Sequence, residues 1–588
     1  MSESLTVTAH MFDGETNGDT SDPRDWDHWV RHLQRRSGPI GLRSAIKPGG
    51  RAALRWGLTD RHEVSTAWSI LQTLENVARK REASDSAVAM ELESWLQGLP
   101  RRAVSRSLGL ECVAWSYALV DLSRELPAAP WCELLDQLIA VSTDTELLST
   151  TDDLLAQQWL AGELPFSLAC LLPEVKPCRA LHLGASATLS SAIIDWLDGE
   201  GLIHGDALSN LRPLLACWTR CQRLAQANGV DCLNTDAREQ YAWLIQQTLR
   251  LTRRDGSQMF ETADANRGWR NLFHAALALS GDPEDRAVAR HVLPGWRKSS
   301  KADSNGALPE PSVFSEWSGI AVMRGSWSRG ATEIGVTFND QTVVAELSRL
   351  NQQVFSGAWN LEVVVDGLPR DVEGRWSELC WFSDNDVVYL ELEAPLGNGI
   401  VLQRQVLIAR DDHFLWLGHV VLGKKSADIR LTVTWPFHED VHIQPADETR
   451  EATIVRGGTP CFLVMPLALP EWRAEPSDGE LTTDQRGLVL EQRSVASRLD
   501  APLFFDLSPK RRPKPYTWRR LTVAEDLEVQ PQDVATGYRV QIGRRQWLFY
   551  RSLAAKRVRT VLGQNLGCDY LCGRFRRDGS LDTLIEIE

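Results

Sequence analysis

The stretch 296–315, WRKSSKADSNGALPEPSVFS, divides the chain into two kinds of sequence. It is polar, holds two prolines and one glycine, and reads as an interdomain linker. Before it, apolar residues recur with helical spacing. Leu211, Leu214, Leu215, Trp218 and Cys221 share one helix face, and Tyr241, Leu244, Ile245 and Leu249 repeat the pattern. The spacing predicts further helices near 64–82, 86–98, 107–125, 130–142, 185–199 and 265–280. Breaks such as Gly98-Leu99-Pro100, Gly201 and Gly281-Asp282-Pro283 separate them. A series of helical hairpins of this kind coils into an α-solenoid or closes into an α/α toroid. The sequence carries no repeat of fixed length, which argues against a tetratricopeptide or HEAT array.

After the linker the period becomes two. Ile429, Leu431, Val433 and Trp435 alternate with Arg430, Thr432 and Thr434, and Val388, Leu390 and Leu392 alternate with Tyr389, Glu391 and Glu393. Such alternation predicts strands with one buried face. Turn signals recur at Asp366-Gly367, Gly397-Asn398-Gly399, Gly457-Gly458 and Asp578-Gly579. The expected fold is therefore an α+β multidomain chain. Residues 1–24 form a disordered N-terminal segment, 25–295 an all-α, toroid-like domain, 296–315 the linker and 316–588 an antiparallel β-sandwich.

Composition narrows the partners. Lysine and arginine total 64 of the 588 residues and aspartate and glutamate 78, a net charge of −14 that repels phosphate backbones and excludes nucleic acid. No apolar run reaches the roughly 18 residues of a membrane span. The N-terminus, MSESLTVTAHMFDGETNGDTSD, has neither a basic start nor an apolar stretch, so a cytoplasmic location is expected. The 11 cysteines read as reduced core residues, not a disulfide framework. The 23 tryptophans, against 7 tyrosines, suit a large core and also sugar stacking.

His438-Glu439-Asp440-Val441-His442 matches the zinc-protease string H-E-x-x-H, which needs both histidines on one face of a helix. Pro436 precedes it and its flanks alternate like strands. On a strand, positions four apart lie about 13 Å from each other, too far to share one zinc. No metal and no cofactor is therefore expected. No phosphate-binding glycine loop and no nucleophile elbow occurs. Glu163, Asp195, Asp198 and Glu200 are candidate glycosidase carboxylates by composition only. A more specific group lies in three segments: Gln158, Trp159 and Glu163 in 154–164; Arg212, Trp218 and Arg220 in 212–220; and Asn266, Trp269, Arg270 and His274 in 265–274. Helix-borne tryptophans interleaved with arginine and asparagine supply planar stacking and bidentate carboxylate contacts, the needs of a cleft for acidic sugars. The alternative is a tryptophan core with arginines reaching outward.

A helical half followed by a sandwich is the layout of several polysaccharide lyases. At the junction, SEWSGIAVMRGSWSRGATEIGVTF (Ser315 to Phe338) resembles the first sandwich strands of the heparinase II/III-like family. ELEAPLGNGIVLQRQVLIARDDHFLWLGHVV (Glu391 to Val421) is similar to that family's paired strands carrying an arginine, here Arg404. The resemblance implies β-elimination on uronic-acid glycans, with a tyrosine and a histidine as base and acid, and asparagine, arginine or histidine on the sugar carboxylate. It points to Tyr241 and His274 for proton transfer. Gln158, Trp159, Glu163, Arg212, Trp218, Arg220, Asn266, Trp269 and Arg270 would bind the substrate, an acidic polysaccharide or oligosaccharide. The chain departs from the family where an H-x-H-x-D stretch should fall: residues 339–367, NDQTVVAELSRLNQQVFSGAWNLEVVVDG, contain no histidine. The sandwich cannot supply that catalytic histidine or its associated metal site. A non-catalytic carbohydrate-binding or scaffold relative is the alternative.

Overall fold

The computed structural model describes residues 23–35, 53–78, 84–144, 148–261, 268–296, 307–338, 341–350, 352–485 and 487–588. The chain divides into two compact units, 1–307 and 308–588. The segment 1–24, expected to be disordered, lies outside the described residues up to 22, and its last two residues begin the helix Pro23–Arg35.

The first unit is helical. The helices expected from spacing run over Ala67–Ala78, Ser84–Gly98, Arg106–Leu122, Ala128–Thr143, His182–Trp196 and Trp269–Ser280. Their ends follow capping chemistry. Ser105 accepts from the Leu108 N–H, Asn234 opens Thr235–Arg250 by accepting from Ala237, and Gly229 and Gly281 close their helices in the left-handed region. Helix Arg106–Leu122 is buried almost all round, and Trp115, Trp131, Trp159 and Trp218 fill the interior. Among the described residues before 307, β contacts are limited to two isolated bridges, Leu197 with Ile203 and Thr252 with Gln258. No helix among the described residues is long and apolar enough to cross a membrane.

Among the described residues, the second unit is built of strands and turns, without a helix. β1 (Val313–Ser315), β2 (Ile320–Arg324), β3 (Thr332–Thr337), β4 (Val344–Arg349) and β5 (Gln352–Ala358) form an antiparallel sheet in sequence order. β1 thus starts inside the stretch read as linker. After β6 (Asn360–Val365), β7 (Leu368–Arg370) and β8 (Ser377–Ser383), the strands β9 (Val387–Pro395), β10 (Val401–Ala409) and β11 (Phe414–Trp435) form the centre of a 12-stranded sheet. One face of this sheet packs Leu390, Leu392, Leu402, Val406 and Leu417 against Met323, Ile334 and Leu347 of the first sheet. Its other face packs Tyr389, Leu407, Phe414 and Trp416 against Trp518, Tyr538, Trp547 and Phe549 of a C-terminal five-stranded sheet.

The sandwich therefore gains a third layer, and the expectation of one buried face on β9 is corrected. Tyr389 is 0% exposed and Glu391 2%, because the C-terminal sheet covers the side that alternation assigns to solvent. Glu391 is accommodated by the Arg551 fork, 2.5 Å from Nη2, and by the Tyr389 hydroxyl, which donates at 2.7 Å.

The H-E-x-x-H string lies on a turn and a strand, as its alternation predicts. His438 sits in the turn, its ring bonded to Asp440 at 2.7 Å, and His442 is on the strand Val441–Pro445, which pairs with Ala452–Arg456.

Candidate functional site

Six of the residues expected to line a sugar cleft form an interior polar layer of the helical unit instead. Gln158, Trp159, Glu163, Arg212, Trp218 and Arg220 are each 5% exposed or less. The local cause is a widened turn: Gln158–Glu163 is a π-helical segment between Leu154–Gln157 and Leu164–Leu171. Glu163 receives the Arg220 fork through Nε and Nη2, both at 2.6 Å, and the Tyr117 hydroxyl at 3.3 Å. Arg220 Nη1 donates to the Ala53 carbonyl at 2.8 Å. The Trp218 indole donates to Gln158 Oε1 at 2.9 Å. Trp159 packs on Gly109, where a Cβ would stand 3.1 Å from the Trp159 Cβ. The Glu163 carboxylate, the Arg220 guanidinium and the Gln158 carbonyl are thereby satisfied inside the unit, as burial requires, whereas the buried Arg212 Nε and Trp159 Nε1 have no hydrogen-bond partner among the described residues. The layer commits the Arg220 fork to Glu163 and so withholds it from a ligand.

Arg212 donates to Thr252 Oγ1 at 3.2 Å, and burial brings its guanidinium down to about 10. Tyr241, expected as a proton-transfer group, is 2% exposed. Thr219 Oγ1 gives its own proton to the Leu215 carbonyl at 2.6 Å, so at 2.8 Å it accepts the Tyr241 proton. Burial holds Tyr241 above its ordinary range, the Thr219 bond only partly opposing this. β-Elimination needs the opposite shift. The spacing that made Tyr241 the first apolar residue of its helix face was a packing signal.

The third segment is different. Asn266 lies outside the described residues. Trp269, Arg270 and His274 lie on the helix Trp269–Ser280, with Arg270 and His274 one turn apart and exposed. The Arg270 guanidinium lies 5.4 Å from the Trp269 ring and donates from Nη2 to the Pro294 carbonyl at 2.8 Å. The indole of Trp269 fits over Gly256, whose φ of +89° and missing side chain admit it; a Cβ there would be 2.4 Å from the ring. His274 stacks on Trp296 with centroids 3.8 Å apart and planes 17° from parallel. Partial burial, and then the Arg270 charge, hold His274 below its ordinary value, so the imidazole is neutral at pH 7. Aromatic faces, a guanidinium and a neutral base thus share one edge of the unit. Trp296 was missed by the sequence reading, which placed it in the linker.

In the sandwich, the histidine-free stretch contributes β4, where Ala345, Glu346, Leu347 and Ser348 are all buried. Arg404, the arginine of the β10 strand, is 3% exposed and pairs in register with His419 of β11. It is stacked between Trp359 and Trp376, 4.7 and 4.9 Å from their rings, and its Nε and Nη1 have no hydrogen-bond partner. Desolvation alone brings it down to about 9. A buried cation with no acidic partner is costly, and the two indole faces offset only part of that cost. Arg404→Met is therefore expected to raise stability in urea unfolding at pH 7, by about 1–4 kcal/mol.

No family model matches the chain, and no curated protein matches its sequence. Solved structures do match. A heparinase III superposes with a TM-score of 0.61 at 12% identity, covering 83% of this chain and 82% of that one. A second heparinase III gives 0.61 at 11% identity, over 90% and 95%. A heparan sulfate lyase from Pedobacter heparinus gives 0.58 at 12%, over 94% and 92%. The chain has the heparinase III-like polysaccharide lyase fold, a helical region followed by an antiparallel sheet-rich region. At such identity the likeness is one of fold.

Proposed function

We propose that this chain takes uronic-acid-containing polysaccharide as its substrate and cleaves it by β-elimination, with His274 moving the proton. The observation that supports this reading is the exposed edge of Trp269–Ser280, where a guanidinium and a neutral imidazole stand one turn apart beside aromatic rings. The chemistry asks for these groups. The C5 proton of a uronate is too weakly acidic to leave until a cation holds the adjacent carboxylate, the role given to Arg270. A neutral base then takes the proton, the C4–O bond breaks, a C4–C5 double bond forms, and the departing oxygen takes up a proton. Trp269 and Trp296 offer faces for the sugar rings. Tyr241 has no proton-transfer role here, since its O–H is committed to Thr219.

A second reading, a binding protein that keeps the fold without the chemistry, is favoured by the missing histidines between 339 and 367. The two are separated by the ultraviolet absorbance of the unsaturated uronide on a panel of heparan sulfate, hyaluronan and alginate. The lyase reading expects product from at least one of them. His274→Ala should then lower the rate about 10²–10⁴-fold, and Tyr241→Phe should leave it within a few-fold. Retained binding with no product from any polymer would put the second reading ahead, and unchanged activity in His274→Ala would remove that residue from the reaction.

A further inference from the structure

The sandwich unit carries a cavity of about 440 Å³ that none of the preceding chemistry uses. Its walls are the turn between β2 and β3, with Ser326 and Ser328, the end of β4, with Arg349, and the end of β10 with its following turn, bearing Arg410, Asp411 and His413.

The charges around it are unevenly committed. Arg410 is held by Glu310 at 2.5 Å and by Ser383 at 2.8 Å. Behind the wall, Arg511 is closed by Asp506, and Asp412 by Arg545 and Arg574 at 2.7 and 3.0 Å. Arg349 is hydrogen-bonded to no carboxylate among the described residues, although Asp506 acts on it through space: its Nη1 donates to the Cys461 carbonyl at 3.5 Å, its guanidinium lies 5.7 Å from the Phe462 ring, and its buried Nε has no hydrogen-bond partner. Arg410 Nε is likewise buried without a partner. Arg512 lies close enough to depress Arg349, and its Nη2 donates to the same Cys461 carbonyl, at 3.0 Å. His413 is exposed and held in the left-handed region at φ +50°. Its charged neighbours are Arg511, Arg349 and Arg545 on the positive side and Asp411 on the negative. Among the described lining residues, Asp411 is the one carboxylate, and it is exposed.

Two guanidinium groups with unsatisfied N–H donors and an imidazole around one cavity are a donor-rich arrangement, and on the same wall Ser326 Oγ donates to Ser328 Oγ at 2.8 Å. Guanidinium forks match oxyanions in both geometry and charge. The volume falls in the range of small-ligand pockets and leaves room for a sugar ring as well as an anionic group. We propose that this cavity binds a tetrahedral oxyanion of the sulfate class, with Arg349 as its principal donor, either as the free ion or as a sulfate ester on a sugar. The site lies wholly in residues of the second unit and does not depend on the β-elimination reading.

Isothermal titration of the full chain with sodium sulfate, against sodium chloride at matched ionic strength, tests the proposal. Saturable sulfate binding is expected, with affinity reduced at least tenfold in Arg349→Gln and at least threefold in His413→Asn. Asparagine suits the left-handed backbone and keeps the second variant folded. Arg493→Gln, at an exposed pair with Asp428 on another strand, should bind as the parent does. Glucose 6-sulfate binding several-fold tighter than sulfate identifies the sugar ester as the ligand, and equal binding identifies the free ion. Absence of saturable binding by either probe overturns the proposal. So does binding that survives unchanged in both Arg349→Gln and His413→Asn.

Discussion

Arg220→Met is expected to destabilise the helical unit by about 3–5 kcal/mol, the cost of leaving a buried carboxylate without its partner. Glu163 is 0% exposed, and both its oxygens are bonded to the Arg220 fork at 2.6 Å. With that fork gone, the Tyr117 hydroxyl at 3.3 Å and the weakly donating Cys217 thiol are the side-chain donors left to Glu163 among the described residues. The Ala53 carbonyl loses the Arg220 donor as well and keeps the Trp56 N–H at 3.3 Å, so the short turn Ala53–Arg55 loses its tie to the Arg220 helix in the same step. The complementary change separates charge from shape. Glu163→Gln combined with Arg220→Met removes both charges and keeps the volume, and it should recover most of the loss. Tryptophan fluorescence through urea unfolding reports the transition, since Trp159 and Trp218 flank the pair. A single variant losing less than 1 kcal/mol, or a double variant no better than the single, would contradict the assigned role.

The second large effect is acid sensitivity centred on His419. Its ring is fully buried between Trp359 and Trp435, with Nδ1 at 3.3 Å from the Ala501 carbonyl. Burial, and after it the Arg404 charge, push it down to about 3. In the unfolded chain an ordinary histidine titrates near 6.5. Above about pH 6.5 the imidazole is neutral in both states and contributes no slope. Between about 6.5 and 3 the unfolded chain binds a proton that the folded chain refuses, so stability falls as the pH falls, by up to about 1.4 kcal/mol per pH unit. Asp285, raised to about 7 by burial, gives the reverse slope, losing stability as pH rises from near 4 to 7. The profile of one protein therefore mixes the two. The difference between the parent and His419→Leu isolates the histidine. It should be flat above pH 6.5 and widen steadily below it. Arg404→Met should narrow the same window from its lower end, because the cation that helps depress His419 is gone. Parallel acid limbs in parent and His419→Leu would sink this account.

Much of the fold was legible from the sequence, because it rests on local periodicity. The change from a 3.6-residue to a two-residue repeat across 296–315 separates helix from strand. Six helices fall where the spacing put them, and the strand reading of His438 to His442 follows from the alternation of the flanks. Periodicity records which side of an element is apolar, and it cannot say what covers the other side. That was decided by tertiary structure. Glu391 occupies a position read as solvent-facing, yet a C-terminal sheet, made of strands 120 and more residues further along the chain, buries it against Arg551. Gln158, Glu163 and Arg220 are buried polar residues, so their polarity signalled a cleft where the fold instead pairs Glu163 with Arg220 and gives Gln158 the Trp218 indole. The π-turn that aims Glu163 inward has no sequence signature in the pattern of apolar residues. Trp296 joined His274 only because the chain returns to the helix Trp269–Ser280 after Pro283–Val292. The sequence determined the order and kind of elements, which depend on neighbours three or four residues away. Only the tertiary structure decided which polar groups are buried, since burial depends on what packs from a distance along the chain.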